Sequence, residues 1–321
     1  MDKKKGFTLV ELLAVIVILA LIALIATPII LNVINDAKKQ AAKDSAYGYM
    51  DAVEKYIVSS ELEDKSIQDG RYSVEELNKK ISVKGSTPDN GNIEIKEGAV
   101  KNYNLGIDGY YITKDEVKKV STTKKIENGT AVYYNPVLGE KCESNEEGCM
   151  KWYVFNDKEG NASVNVILDH NTTANETWNS TGNNSEMKEV KIALENDTKD
   201  WKNTARLITA NEVAKITGNT DFDASKTGQD WFYLDSNNQT QTASSTNKSK
   251  YAWLFDYTYE CTSYGCNTSD SSNYGYWTST SYKDNSTSAW RVDRNGNLRT
   301  NDVTFTGLGV RPVITISKPN I

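Results

Sequence analysis

The residue types that most often carry chemistry are sparse in this sequence of 321 residues. It contains one histidine, His170, and its nearest acidic neighbour along the chain is Asp169. Adjacent side chains in an extended segment point to opposite sides, so these two residues are poorly placed to act as an acid–base pair. We therefore expect His170 to have a structural, hydrogen-bonded role rather than a catalytic one.

The four cysteines form two close pairs along the chain, Cys142 with Cys149 and Cys261 with Cys266. No CxxC motif is present, which excludes zinc-ribbon and thioredoxin-like sites. In an exported chain, an even number of cysteines at short spacing favours two local disulfides. Four cysteines allow three pairings, and free thiols are the alternative.

One acidic segment has a spacing that suggests a metal site. In TDFDASKTG, the residues Asp221, Asp223 and Ser225 occupy alternate positions. Gly228 comes too late for the turn of an EF-hand loop, and the sequence has no lectin-type calcium motif. We therefore expect neither a metal ion nor a cofactor.

The composition is that of a folded, acidic protein. Hydrophobic residues make up 38% of the chain, which is enough for buried cores in two modest domains and an accessory segment. The formal net charge of −6 leaves no basic surface for nucleic acid, so DNA and RNA are not expected as direct partners.

Glu11 is unusual because it lies at the start of a long apolar run. Residues 12–26 are all apolar, residues 29–31 extend the run, and lysines occupy positions 3–5. Such a segment is long enough to span a bilayer as a helix, and the lysines predict that the rest of the chain lies outside the cell. A signal peptide has a similar pattern, but Glu11 and the lack of a good small-residue cleavage site argue against one.

The stretch KKKGFTLVE, which ends at Glu11, resembles the prepilin motif of type IV pilins and pseudopilins. A glycine at Gly6, an aromatic residue at Phe7, glutamate as the fifth mature residue, the apolar run and Pro28 carry the likeness. The resemblance implies that a membrane prepilin peptidase cuts between Gly6 and Phe7 and methylates the new amino group of Phe7. It also implies that the helix is first a membrane anchor and later the core of a filament.

The same resemblance gives Glu11 a role in filament assembly. A carboxylate isolated in hydrocarbon is costly, so it needs a partner, and the new α-amine of Phe7 is the natural one. In pilins this glutamate is held to recruit and register the next subunit by pairing with that amine. The implied partners are the prepilin peptidase, other pilin subunits and the pilus assembly platform.

Beyond the apolar run, the pattern predicts one long helix followed by a small α/β unit. Apolar residues between positions 34 and 56 recur at three- and four-residue steps, which predicts a helix over residues 7–58 of about 78 Å, kinked near Pro28. The SVEE segment at 73–76 predicts a helix start, and Ile93 and Ile95 alternate with polar residues as in a strand. Residues 121–128 have the composition of a linker.

The C-terminal part predicts many short strands with little helix, and the fold class is therefore α+β. Strand patterns occur in TAVYY, KWYVF, SVNVIL and GVRPVITI, residues 211–216 form a short helix, and Asn295 with Gly296 predicts a hairpin turn. The order ARLIT, YWTSTS, AWRV and GVRPV is similar to a domain of surface proteins from gut Gram-positive bacteria. That domain resembles formylglycine-generating-enzyme and C-type-lectin-like folds.

This second resemblance implies a ligand-binding rather than a catalytic domain. Arg206 and Arg311 are expected to anchor loops, and Cys261 with Cys266 lie outside the region where the enzymes carry their catalytic cysteines. Trp277 and Trp290 are candidate contacts for a host glycan or protein, with packing in the core as the alternative.

These observations predict four segments: a leader (1–6), a transmembrane and filament helix (7–58), a pilin-like domain (59–125) and a C-type-lectin-like domain (126–321). The expected function is that of a structural subunit, a minor pilin of a bacterial type IV pilus or related filament, displaying a domain for adhesion. The alternative is a pseudopilin of a type II secretion or DNA-uptake system, and a third hypothesis is an exported enzyme on a pilin anchor. The expected location is the cell membrane, crossed once with the C-terminus outside, and then an extracellular filament.

Overall fold

The structure is a computed structural model that describes residues 9–63, 67–83, 85–120, 124–229, 231–233, 251–254, 275–293 and 297–321. The helices are α1 (Leu9–Leu62), α2 (Val74–Leu77), α3 (Glu189–Asp197) and α4 (Ala210–Ile216), with short 3₁₀ turns at Ala252–Leu254 and Lys318–Asn320. A long N-terminal helix followed by a β-rich region confirms the predicted α+β fold class.

Helix α1 has 54 residues and is therefore about 81 Å long at 1.5 Å per residue. It extends four residues beyond the predicted end. Pro28 lies inside it and has no N–H to donate, yet the helix is continuous there. The Thr27 hydroxyl donates to the Ala23 carbonyl oxygen at 2.6 Å, just before the proline. The kink at Pro28 stays a prediction.

The second half of α1 packs through a single face. Its buried apolar residues recur at steps of three and four, which is the spacing of one helix face: Ala42, Ala46, Tyr49, Val53 and Ile57. They form one core with the first sheet. The apolar packing of the helix on the globular part therefore begins at Ala42, and hydrogen bonds from Tyr110 and Lys119 to Asn35 add polar contacts two turns earlier.

The first sheet is an antiparallel meander in the order β1-β2-β3-β4-β5. Its strands are β1 (Gly70–Ser73), β2 (Asn90–Lys96), β3 (Ala99–Ile107), β4 (Tyr110–Thr113) and β5 (Val117–Lys119). One face carries Ile93, Ile95, Leu105, Ile107 and Ile112, which pack against α1. The predicted alternation around Ile93 and Ile95 is thus the core face of β2.

The remaining strands build a larger body from two sheets. One has the order β16-β9-β8-β6-β7 and the other β10-β15-β12-β13-β14-β11, with β12 and β15 parallel. The strands are β6 (Ala131–Asn135), β7 (Glu140–Lys141), β8 (Met150–Phe155), β9 (Ser163–Leu168), β10 (Thr173–Glu176), β11 (Trp231–Tyr233), β12 (Gly275–Ser281), β13 (Ser288–Asp293), β14 (Asn297–Asp302), β15 (Leu308–Val310) and β16 (Val313–Ser317). Two apolar clusters fill the space between the sheets and under α3 and α4.

Most local predictions for this body are confirmed. The strand patterns in TAVYY, KWYVF and SVNVIL correspond to β6, β8 and β9, and the predicted helix begins one residue early, at Ala210. Asn295 and Gly296 lie outside the described residues, but β13 and β14 on either side of them pair antiparallel. Residues 124–128, in the predicted linker, have no regular secondary structure.

The second face of the first sheet is polar and buried against the body. Asn104 donates from Nδ2 to the Thr315 carbonyl oxygen at 2.9 Å, and Asn90 exchanges hydrogen bonds with Ser163. Arg206 donates from Nε to Asn92 Oδ1 at 2.6 Å. The first sheet therefore lies between α1 on one side and the body on the other.

Candidate functional site

Glu11 lies in the first turn of α1 as the structure describes it. A carboxylate there interacts favourably with the positive end of the helix dipole. Its neighbours Leu9 and Val10 are exposed, at 82% and 73%. The carboxylate therefore sits among apolar side chains that face outward.

The N-terminal half of α1 leaves a long apolar surface uncovered by the rest of the chain. Its most apolar stretch has a mean hydropathy of 3.2, and none of it is buried. By length and composition this helix can cross a membrane. An exposed apolar surface of this extent requires lipid or other protein to cover it.

Residues 1–27 match the family model described as the prokaryotic N-terminal methylation motif. The chain therefore has a type IV pilin-like N-terminus. Together with the apolar helix, it indicates a membrane-anchored, pilin-like protein. No curated protein and no solved structure gave a significant match. Gly6 and Phe7 lie outside the described residues, so cleavage and methylation at this pilin-like N-terminus stay predictions.

At the junction between the first sheet and the body, two helix starts meet. Ser73 and Glu76 form a capping box at α2, and Thr209 and Glu212 form another at α4. In each, the hydroxyl accepts from the glutamate N–H, and the glutamate side chain accepts from the backbone N–H of the capping residue. Both motifs are visible in the sequence, as SVEE and TANE, but their proximity is not.

Arg206 joins the capping box of α4 to strand β2 of the first sheet. Its guanidinium donates to both carboxylate oxygens of Glu212, at 2.6 and 2.7 Å, and its Nε donates to Asn92 on β2. Burial, and after it the negative charge of Glu212, raises the pKa of the half-buried Glu76 carboxyl above its ordinary value. The hydrogen bonds from Ser73 and the charge of Arg206 lower the pKa of Glu76 but do not cancel these effects.

Arg311 anchors the opposite side of the body. It is buried and donates to the carbonyl oxygens of Leu168, Leu254 and Trp253, at 2.6, 2.8 and 2.8 Å. Its guanidinium also lies 5.0 Å from the ring centre of Tyr276. The predicted anchoring roles of Arg206 and Arg311 are confirmed, and neither side chain is accessible to a ligand.

The assignment of Trp277 and Trp290 as ligand contacts is wrong for this structure, because both side chains are fully buried. Trp277 donates from its ring nitrogen to the Glu176 carbonyl oxygen at 2.8 Å. Trp290 packs edge-to-face against Phe222 and Tyr282. Both tryptophans are core residues, the alternative that the sequence left open.

The cysteines and the other candidate groups have structural surroundings. Cys142 and Cys149 form a disulfide across a seven-residue separation, whereas Cys261 and Cys266 lie outside the described residues. His170 is buried and hydrogen-bonded through Nδ1 to Asp169, so the expectation that these two adjacent side chains point apart is wrong. In the described part of the chain, no cluster of three or more His, Cys, Asp or Glu side chains could hold a metal ion.

The buried amides that join the first sheet to the body were not predicted from the sequence: Asn90, Asn92, Asn104 and Asn203. A signal was present, because the polar positions 90, 92 and 104 are uncharged asparagines rather than lysine or glutamate. Asparagine can be buried at lower cost than a charge when backbone groups satisfy it, as the Thr315 carbonyl does here.

Proposed function

We propose that the chain is a minor pilin, a structural and non-catalytic subunit of a type IV pilus or related filament. The observation that carries this proposal is the prepilin motif at residues 1–27 joined to a helix whose apolar half the rest of the chain leaves exposed. A membrane covers that surface before assembly, and the helices of other subunits cover it within the filament. The C-terminus then lies outside the cell.

In this proposal Glu11 selects the position of each new subunit. Cleavage after Gly6 frees the amine of Phe7, which is then methylated. This amine lies four residues before Glu11 in the sequence and supplies a positive charge to pair with a carboxylate. Pairing the two charges between neighbouring subunits offsets the cost of placing each in an apolar surrounding. The proposed partners are the prepilin peptidase, other pilins and the assembly platform.

The body supports a display role. It holds two sheets and extends the subunit well beyond α1 and the first sheet, so a copy on every subunit would crowd a helical lattice. The sequence motifs ARLIT, YWTSTS, AWRV and GVRPV, which resemble those of C-type-lectin-like surface domains, are the support for adhesion to a host glycan or protein. The hydrogen bonds of Asn92 and Asn104 to the body favour display in a fixed orientation relative to the filament.

Immunogold electron microscopy with antibodies against the body tests the proposal in cells. We expect sparse gold particles on filaments, at tips or at intervals along the shaft. Dense and uniform labelling would instead indicate a major pilin, and labelling confined to the cell membrane would overturn the filament role. Mass spectrometry of the same filaments should find a mature N-terminus at Phe7 carrying one methyl group.

A pseudopilin of a type II secretion or DNA-uptake system is the second candidate, because the N-terminal motif is shared by both classes. The acidic net charge of −6 disfavours direct contact with DNA. Deleting the gene and measuring adhesion, protein secretion and transformation in parallel separates the two. Loss of adhesion alone supports the pilin, and loss of secretion or transformation supports the pseudopilin.

A further inference from the structure

The end of the first sheet leaves a stretch of β3 open on one edge. Strand β4 ends at Thr113, which pairs with Asn104, so residues 99–103 of β3 extend beyond it. An open cleft of about 820 Å³ lies there between the first sheet and the body. A second groove of about 480 Å³ lies between the same end of the sheet and α1.

These two cavities meet at the end of the sheet, where four residues line both of them: Tyr103, Thr113, Asp115 and Glu116. We call this the sheet-end groove. It is open along its length rather than enclosed, which suits a chain-like ligand better than a compact one.

The floor of the groove on the body side is neutral, polar and fixed. Tyr134 donates its hydroxyl to Asn203 Oδ1 at 2.7 Å, and Asn203 Nδ2 donates to the Tyr111 hydroxyl oxygen at 3.1 Å. All three side chains are buried. Such a network holds hydroxyl and amide groups in place before any ligand arrives.

The walls of the groove add two aromatic rings and a free amide donor. Tyr103 is half-buried, and Tyr47 on α1 is 51% exposed. Burial, together with Tyr47 and the charge of Asp115, raises the pKa of Tyr103, so its hydroxyl stays protonated. Asn102 fixes its own side chain by accepting the Tyr103 N–H at Oδ1, at 2.9 Å, which leaves its Nδ2 group as a donor.

The charges at the rim exclude a strongly ionic ligand. The charged side chains that line the two cavities are of both signs, with no large excess of either: Asp36, Asp115, Glu116, Glu140, Lys39, Lys43, Lys114, Lys118 and Lys202. Addition of a peptide strand to β3 is also disfavoured. The N–H groups of Val100 and Tyr103 in the open stretch already bond to the side chains of Glu54 and Asn102.

We propose that the sheet-end groove binds a neutral oligosaccharide, with Tyr103 stacking on a sugar ring and Asn102 donating to its hydroxyls. An aromatic face matches the C–H face of a sugar, and amides and hydroxyls match its polar edge. The proposal rests on the proposed function, because that function places the groove outside the cell, where it can meet surface glycans. The proposed ligand lies at the junction between the first sheet and the body, and not on the buried Trp277 and Trp290 of the body.

Isothermal titration calorimetry of the full chain in detergent micelles tests this, with the neutral hexasaccharides cellohexaose, hexa-N-acetylchitohexaose, xylohexaose and mannohexaose as probes. We expect at least one to bind, with affinity reduced about tenfold or more in Tyr103→Ala, reduced in Asn102→Ala, and retained in Tyr103→Phe, which keeps the ring. Tyr133→Ala is the matched control, because Tyr133 is an exposed tyrosine of the body outside the groove.

Three outcomes would overturn the site: no binding of any probe, equal binding by Tyr103→Ala, or equal loss in Tyr133→Ala. Binding of a threonine–valine hexapeptide in place of the sugars would show that the open edge takes a strand. These results are independent of filament assembly. Labelled filaments without sugar binding would reject only the groove, and sugar binding without filaments would reject only the pilin role.

Discussion

Arg206 and Glu212 form a fully buried ion pair in which two guanidinium nitrogens meet two carboxylate oxygens, at 2.6 and 2.7 Å. The same arginine reaches across to Asn92 of the first sheet. One side chain thus ties helix α4 of the body to a strand of the neighbouring sheet. The bidentate geometry is one that lysine does not reproduce.

Replacing this arginine should be strongly destabilising. Arg206→Ala leaves the Glu212 carboxylate buried without its partner, which costs about 3–5 kcal/mol. Chemical denaturation of the full chain in detergent, followed by tryptophan fluorescence, measures the loss. Lys215→Ala is the control, because its ion pair with Glu75 is about 40% exposed and is worth about 1 kcal/mol or less. Equal unfolding midpoints for the two variants would contradict the assigned role of Arg206.

The junction should also make stability depend on pH through Glu76. Its folded-state pKa is raised above the ordinary value of 4.5, so the folded chain holds this proton more tightly than the unfolded chain. Stability from Glu76 is therefore present below 4.5 and is lost as the pH rises through the raised folded-state pKa. Glu76→Gln should gain stability relative to the unchanged chain, and more at pH 7 than at pH 4.

The control for Glu76→Gln must replace a carboxyl that lies outside the buried junction around Glu76. Glu159 is exposed in the body, and Glu159→Gln serves as the matched variant. The measurement is the unfolding midpoint of the unchanged chain, Glu76→Gln and Glu159→Gln, each at pH 4 and pH 7. A gain for Glu76→Gln that is the same at both pH values would rule out the raised pKa.

A second buried ion pair lies near the C-terminus of the body, between Lys318 and Asp157. Lys318 Nζ lies 2.8 Å from Asp157 Oδ2, both side chains are inaccessible, and Asp157 also accepts the Ile126 N–H. Lys318→Ala should cost about 3–5 kcal/mol because it leaves a buried carboxylate unpaired. The double variant Lys318→Met with Asp157→Asn removes both charges and should recover part of that loss in the same denaturation assay. A double variant less stable than Lys318→Ala would show that packing, not charge, decides the effect.

The sequence predicted the elements of this fold better than their assembly. Hydrophobic period and capping residues are local, so α1, α4 and the strands around Ile93 and Trp152 were found from pattern alone. The alternation of Ile93 and Ile95 also showed that one face of β2 is apolar. It did not show that the opposite face, with Asn92, is buried, because polar alternation is typical of a solvent-facing surface.

For the candidate functional site too, local features could be predicted from the sequence and long-range contacts could not. The prepilin motif, which includes Glu11, is a run of consecutive residues, so it can be recognised from the sequence alone. The roles of Trp277 and Trp290 depend on which strand faces lie inward in the body, and a tryptophan in a strand has the same pattern whether it packs or binds. The sheet-end groove joins residues of α1, β3 and the body, which no local pattern connects.

In the proposed filament, α1 assembles with its neighbours through Glu11. Quantitative immunoblotting of sheared filaments and of membranes, with the unchanged chain, Glu11→Ala and Asp44→Ala compared, tests it most directly. Asp44 is an exposed acid further along the same helix and serves as the control. We predict normal membrane levels for all three proteins and loss of Glu11→Ala alone from the filament fraction. Glu11→Ala at normal levels in filaments would show that assembly does not depend on this carboxylate.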